Sequence, residues 1–178
     1  SCNLEVCFPV RLGDLFDFPY REVWPTLEMM VERVGADHLL YDTRVDHIAG
    51  EEPAPNMPVA DQKIWKTERT IIRAMMERGT DPIKFICDWG HGVGREVFAS
   101  CRMNMIQDSF RPYFASRFKR EHPEYCLGKR GDWENSDNKD LRLCWSALDW
   151  EHEAVRDHRF AMIDDICSRY DVDGMELD

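Results

Sequence analysis

Two acidic side chains stand two positions apart in the segment VDGMELD, residues 172–178. Alternate side chains of a β-strand lie on one face, so Glu176 and Asp178 share a face, with Asp178 nearer the carboxyl end. Carboxylates on a parallel strand cost free energy unless they are solvated, hydrogen-bonded or used. Glu176 and Asp178 are therefore the candidate catalytic residues, for acid or base chemistry. The alternative is that Glu176 pairs with an arginine such as Arg102 and that Asp178 only begins a loop.

These groups need strands to position them, and four short β-rich runs are available. The runs cover residues 4–10, 38–42, 96–101 and 172–178. Helical patterns lie between them, and this alternation indicates an α/β protein. Polar side chains follow each run at its carboxyl end, namely Arg11, Asp14, Asp42, Arg44, Arg102, Asn104, Glu176 and Asp178.

Two architectures collect ligand-binding groups at the carboxyl ends of parallel strands, the (β/α)₈ barrel and the open doubly wound sheet. The polar strand ends favour the barrel. We therefore expect residues 1–178 to form one domain, a partial (β/α)₈ TIM barrel of roughly the first four βα units that is apparently truncated.

The helical patterns are read from apolar periodicity. The first spans residues 25–34. The second ends at Gly79 and has one apolar face: Ile64, Thr67, Ile71, Ile72, Met75 and Met76. A short helical stretch covers residues 81–87, and another is expected near residues 113–120. The last helix also has one face: Val155, Arg159, Met162, Ile163, Ile166 and Tyr170. Gly90, Gly92 and Gly94 lack the register of a phosphate loop and are interpreted as helix termination.

Composition excludes several classes of function. The chain has 34 acidic and 23 basic residues and a formal charge of −11, which repels polyphosphate and anionic membranes, so no nucleic-acid partner is expected. No apolar run is long enough for membrane insertion. The seven cysteines are scattered and the histidines have no metal spacing, so no metal and no cofactor are predicted. The compartment stays unknown.

The segment RYDVDGMELD, residues 169–178, closely resembles the RYDVDGIELD signature of glycosyl-hydrolase-like TIM barrels of bacteria. Three further segments match that family in order: VFASCRMN at 97–104, FKREHPE at 118–124, and ALDW at 147–150 with VRD at 155–157. The resemblance covers about residues 90–178 well and the first ninety poorly. It implies a glycoside hydrolase whose cleft surrounds the ends of strands two, three and four, with Asp178 as a catalytic carboxylate.

The same strand also resembles the chitinase pattern Asp-Gly-x-Asp-x-Asp-x-Glu, with Asp173, Glu176 and Asp178 at the first three acidic places. Glu176 replaces the middle aspartate, and the place of the decisive acid falls after Asp178, so substrate-assisted chitinase chemistry is not supported. Glycoside hydrolysis usually needs two carboxyl groups, about 5 Å apart in retaining enzymes and roughly 6.5–9.5 Å apart in inverting ones. We expect the second on a later strand.

Candidate substrate-binding residues surround the predicted cleft. Arg102 and Asn104 suit hydrogen bonds to sugar hydroxyls or to a uronate carboxylate, because a guanidinium group offers a planar fork of donors. Their alternative is an internal contact with Asp178 or Glu176. The other candidates are Asp42, Arg44, Asp149 and Trp150.

Each candidate from the long 105–150 segment has a structural alternative. Asp149 precedes the last helix and is equally suited to cap it. Trp133, Trp145 and Trp150 suit stacking on sugar rings, but tryptophan is also an ordinary core residue.

Two other functions remain open at this point. One is a saccharide-binding barrel that does not catalyse. The other is a half-barrel that dimerises, because four barrel strands alone expose an edge and an uncovered face. The expected partners are a saccharide and either the remainder of the barrel or a homodimer partner.

Overall fold

The computed structural model describes Leu39, residues 41–48, Glu51, residues 57–92, Gly94, residues 96–139 and residues 141–177. The first predicted strand and helix lie outside the described residues. So do Arg11, Asp14 and Asp178. The partial barrel therefore stays a prediction, and the fold is described here for the region that contains the other candidate residues.

Helix α1, Val59–Glu77, follows Pro58 and ends where the sequence indicated. Gly79 has a φ of 75°, a left-handed conformation that costs glycine little, and its N–H donates to the carbonyl of Met76 at 2.9 Å. The helix buries Ile72 as expected, but Thr67 is exposed. It also buries Trp65, which periodicity did not single out and which packs edge-on against Phe114 with 5.7 Å between ring centroids.

Helix α2, Pro82–Gly92, is longer than the predicted stretch. Asp81 caps it, since its Oδ1 accepts from the N–H of Lys84 at 2.9 Å, and Pro82 occupies the first helical position. Gly90 lies inside the helix, and Gly94, with a φ of 72°, follows its end. The interpretation as helix termination is confirmed for Gly92, the last helical residue, and for Gly94, but it is wrong for Gly90.

The two later predicted strands form a parallel pair. Strand β1, Phe98–Cys101, lies beside strand β2, Gly174–Leu177, and their register places Ser100 opposite Glu176. Among the described residues, β2 pairs with β1 alone. The run at 38–42 contributes one parallel bridge, between Leu39 and Ile48.

The connection between β1 and β2 contains helix α3 at Arg117–Glu121, helix α4 at Leu141–Cys144 and the long helix α5 at Glu153–Arg169. The short helix expected near 113–120 corresponds to a 3₁₀ turn at Pro112–Phe114 followed by α3. None of the described helices is long and apolar enough to cross a membrane.

One apolar cluster lies between the helices and β1. Its fully or nearly fully buried members are Leu39, Tyr41, Ile83, Cys87, Val97, Ala99, Cys101, Met162 and Ile166. The predicted buried face of α5 is confirmed at four positions, Val155, Arg159, Met162 and Ile166. Burial and the nearby Asp171 carboxylate raise the pKa of the Cys87 thiol to about 11, so this cysteine stays protonated at neutral pH.

Asp173 ties together the amino ends of both strands. Its Oδ2 accepts from the N–H of Val97 at 2.6 Å and contacts Nε2 of His91 at 2.9 Å, and its own N–H donates to the carbonyl of Val97 at 2.8 Å. The hydrogen bond to Asp173 raises the pKa of His91. The Val97 N–H and then His91 lower the pKa of Asp173. Asp173, the first acid of the chitinase-like pattern, therefore links β2 to the start of β1.

Gly174 has no room for a side chain. A Cβ built there would lie 2.5 Å from Cε1 of Phe98, its partner in the sheet register. We expect Gly174→Ala to lower the free energy of unfolding by about 1–3 kcal/mol because the Phe98 ring must shift, as measured by urea denaturation. Adding Phe98→Leu should restore part of the loss.

The matched control is Gly92→Ala, since a Cβ at Gly92 meets nothing within 4 Å. Equal losses for the two alanine variants, or no recovery with Phe98→Leu, would contradict the steric explanation.

The His91–Asp173 contact makes stability depend on pH. Because the folded-state pKa of His91 is raised above 6.5, its contribution is complete below that pH and is lost as the pH rises through the raised value. Because the pKa of Asp173 is lowered below 3.8, its contribution is complete above that pH and is lost on acidification through the lowered value. The stability difference between the wild type and His91→Gln should therefore be largest near about pH 5 and smaller near about pH 8.5.

Lys84→Gln is the control for this titration. It removes a cation of α2 whose pKa is raised by its hydrogen bond to Asp88, so the group stays charged across the range. Its stability difference from the wild type should be the same at both pH values, in urea melts. A constant difference for His91→Gln would show that the pair does not contribute through its charge.

Candidate functional site

A cavity of about 330 Å³ opens directly beyond the carboxyl end of β1. It is lined by Arg102, Asn104, Met105, Ile106 and Gln107. The structure thus places two of the predicted substrate-binding residues in one cavity. Nη1 of Arg102 lies 3.9 Å from the sulfur of Met105 in its wall.

Glu176 belongs to the strand beside this cavity. It lies opposite Ser100, and Leu177 lies opposite Cys101, the residue before Arg102. Glu176 is exposed to solvent, so its carboxylate is hydrated and its location carries no large desolvation cost. Asp178 itself lies outside the described residues and stays a prediction.

Asn104 holds the far side of the cavity in place. Its Nδ2 donates to the carbonyl of Leu148 at 2.9 Å, and its Oδ1 accepts from the N–H of Leu148 at 2.8 Å. The Asn104 carboxamide therefore binds both backbone groups of Leu148, its C=O and its N–H, as a residue of a neighbouring strand would. One hydrogen on Nδ2 and one lone pair on Oδ1 remain for a ligand, because the group has two of each.

The two hydrogen bonds between Asn104 and Leu148, called the Asn104 clamp below, hold the backbone directly before Asp149 and Trp150. The N–H of Asp149 donates to the carbonyl of Tyr125 at 2.8 Å, and its Oδ1 accepts from the N–H of Glu151 at 2.9 Å. The capping prediction for Asp149 is wrong, because α5 begins after His152 and the Asp149 carboxylate is used in the preceding turn. Trp150 is half-buried, and its carbonyl accepts from Arg156.

Asp42 and Arg44 belong to a different group of contacts. Nη2 of Arg169 donates to Oδ2 of Asp42 at 3.1 Å, and the N–H of Arg44 donates to Oδ2 of Asp165 at 3.1 Å. Arg169 ends α5 and precedes β2, so these contacts lie on the amino-terminal side of that strand. The structure does not join Asp42 and Arg44 to the cavity at the carboxyl end of β1.

Asp81 links this second group to α2. Its Oδ2 accepts from the N–H of Asp42 at 3.0 Å and from the hydroxyl of Tyr170. Burial and then the Asp81 carboxylate raise the pKa of Tyr170, so the hydroxyl remains a donor throughout the neutral range. These contacts give the buried Asp81 carboxylate and the half-buried Asp42 carboxylate protein partners, whereas Arg44, whose side chain is exposed, takes part through its backbone N–H.

A larger cavity, of about 480 Å³, lies within the connection between β1 and α5. Asp108 and Lys119 contribute to its wall as a buried ion pair, with 3.1 Å between Oδ1 and Nζ and side chains 7% and 2% exposed. Nζ of Lys119 also donates to the carbonyl of Met105. The sequence analysis did not identify either residue, because nothing in the spacing of a short, charged segment shows that its lysine is buried.

No protein-family model and no curated protein matches the sequence. Within the described ranges, no three metal-ligating side chains lie together. The candidate site therefore rests on the cavity at the end of β1, on the strand pair beside it and on the clamp that closes it.

The Asn104 clamp can be tested with an isosteric change. Asn104→Asp keeps the oxygen that accepts from Leu148 but replaces the donor with a second carboxylate oxygen facing the Leu148 carbonyl. We expect the free energy of unfolding to fall by about 1–3 kcal/mol at neutral pH, measured by chemical denaturation. Part of this loss should be recovered at low pH, where a protonated carboxyl can donate.

Asn138→Asp is the control, because Asn138 is exposed. A neutral result for Asn104→Asp, or an equal loss in the control, would mean that the two hydrogen bonds do not stabilise the 145–150 segment.

Proposed function

We propose that this protein acts on saccharides as a glycoside hydrolase, through carboxylate chemistry at the carboxyl ends of its parallel strands. The observation that carries the proposal is the cavity of about 330 Å³ directly beyond β1, lined by Arg102 and Asn104, beside the strand that bears Glu176. In α/β folds, ligands bind at this end of parallel strands. The choice of glycosidic-bond hydrolysis as the reaction rests on the resemblance of residues 169–178 to a glycosyl-hydrolase-like signature.

Asp178 is the proposed catalytic carboxylate. It follows Leu177 in the sequence, and Leu177 pairs with Cys101, the residue before Arg102. A guanidinium group near a carboxylate favours its ionised form, which is the form that a nucleophile or a general base requires. Glu176, on the same strand, is the other candidate of this chain, and the second carboxyl group across the scissile bond is expected on a later strand.

Sugar recognition is assigned to the residues of the cavity wall. Arg102 offers several N–H donors, and the Asn104 amide retains one donor and one acceptor position. Both groups suit vicinal hydroxyls, which donate and accept at fixed spacing. Because Asn104 is held by Leu148, its amide is oriented before the ligand arrives.

One observation favours a second candidate, assembly through β2. Among the described residues β2 pairs with β1 alone, and Leu177 at its carboxyl end is 54% exposed. An exposed apolar strand edge is a template for another strand, supplied by the remainder of a barrel or by a second copy of the chain. Sedimentation distinguishes the two: a folded monomer would exclude obligate pairing between copies.

The central test is Asp178→Asn in the full chain. We expect kcat/KM on the best saccharide substrate to fall on the order of 10²–10⁴-fold, because the amide can neither attack nor transfer a proton. The measurement is release of reducing ends from a panel of oligosaccharides, with thermal melting to verify folding.

Asp164→Asn provides the matched control, since Asp164 is an exposed acid on α5. It should retain the activity of the wild type. Full activity of Asp178→Asn on every sugar that the wild type cleaves would refute the catalytic assignment. Saccharide binding by a wild type that cleaves none of the panel would instead support the binding barrel.

A further inference from the structure

The cavity of about 480 Å³ inside the β1–α5 connection is separate from the proposed catalytic cavity. We propose that it is a second binding site, for a pyranose ring that carries a carboxylate, such as a uronic acid residue. The choice of a sugar ring rests on the proposed function, whereas the requirement for a carboxylate rests on the charges of this cavity.

The size and the surface of the cavity suit a ring. Ligand sites commonly have volumes of about 300–1,000 Å³ and are mostly apolar, with a few polar groups that set orientation. The wall here is largely apolar and includes Pro112, Ala115, Pro123 and Trp145. The C–H face of a pyranose packs well against such flat apolar groups.

The charges of the wall favour an anion. Asp108 is paired with Lys119 at 3.1 Å, and Glu124 contacts His122 at 3.2 Å. Two further cations, Lys129 and Arg130, also line the cavity. The wall thus carries three cations, Lys119, Lys129 and Arg130, and two acids, Asp108 and Glu124, an excess of one positive charge in a chain of net charge −11. A carboxylate is the ligand group that a guanidinium fork binds best.

Asp132, the next acid in the sequence after these cations, binds the backbone of its own loop. Oδ2 of Asp132 accepts from the N–H of Lys129 at 2.7 Å. It also occupies the space beside Gly128, where a Cβ would lie 2.9 Å from the same oxygen. The Asp132 carboxylate is thus committed to the turn that carries Lys129.

The loop that carries the two cations has a defined, strained conformation. Gly131 has a φ of 96° and Trp133 a φ of 59°, and such a value is unfavourable for tryptophan. The N–H of Gly128 donates to the carbonyl of Trp145 at 3.0 Å, which joins the loop to the cavity wall. Strain of this kind persists where surrounding contacts impose it, and it is common at ligand sites.

The two cavities share one wall. Met105 lines the cavity at the end of β1, and its carbonyl accepts from Nζ of Lys119, which lines the larger cavity. The segment 105–108 therefore separates the sites.

The test uses D-glucuronate and D-glucose as probes of the full chain, by titration calorimetry and ligand-observed NMR. The two sugars differ only at carbon 6, so they isolate the carboxylate. We expect glucuronate to bind, and the double variant Lys129→Ala/Arg130→Ala to bind it at least about 10-fold more weakly, the loss that follows from a charge-assisted hydrogen bond.

The control is Lys63→Ala/Lys66→Ala, which removes two exposed cations of α1 and leaves the cavity wall unchanged. It should bind glucuronate as the wild type does. Equal affinity for glucose and glucuronate, undiminished binding in the Lys129/Arg130 variant, or an equal loss in the control would each overturn the proposal.

A measurement with Asp178→Asn separates this inference from the proposed function. That variant should lose hydrolysis but keep glucuronate binding in the larger cavity. Charge-dependent binding in a chain whose Asp178 is dispensable for hydrolysis would contradict the catalytic assignment alone. Binding without charge dependence in a chain that needs Asp178 would contradict the second site alone.

Discussion

The connection between β1 and α5 is organised around a buried charge, the ammonium group of Lys119. An ammonium group removed from water costs several kcal/mol unless it is paired and hydrogen-bonded. Here Asp108 supplies the opposite charge, and the carbonyl of Met105 accepts a second bond. Ser116 fixes the start of α3 by accepting from the N–H of Lys119 at 3.2 Å. Together these contacts hold the connection against the end of β1, and they form the wall between the two cavities.

Side chains that bind backbone groups hold the strand pair at both of its ends. A short parallel pair leaves N–H and C=O groups at its ends, and buried backbone groups need partners. Asp173 meets this need at the amino end by accepting from Val97. Beyond the carboxyl end of β1, the Asn104 carboxamide pairs with the backbone of Leu148 and so ties this end of the strand to the connection. The end that carries the cavity is therefore held by a carboxamide, a group that also suits sugar hydroxyls.

Local sequence patterns predicted α1, α2, α3, α5 and the two later strands, but not the short helix α4. Pro82 and Gly79 marked helix boundaries through their backbone preferences, and the buried face of α5 followed from residues three and four apart. The partners of the polar residues were not predictable in this way. Asn104 meets a backbone 44 positions away, and the contact between Arg169 and Asp42 spans 127 positions. The sequence indicated that Asn104 and Asp42 lie at the carboxyl ends of strands, but it did not indicate which groups they contact.

The register of the strand pair has a consequence for the order in which the chain folds. Val97 and Asp173, which meet at the amino ends of the strands, are 76 positions apart. A chain emerging from the ribosome therefore exposes the apolar β1 long before β2 is made, and pairing must wait for α5. Closing so long a loop also costs entropy before any sheet contact is gained, which makes this pairing a slow step. In the interval the local helix α2, whose Ile83 and Cys87 belong to the same apolar cluster as Ala99 and Cys101, can shield β1 from other chains.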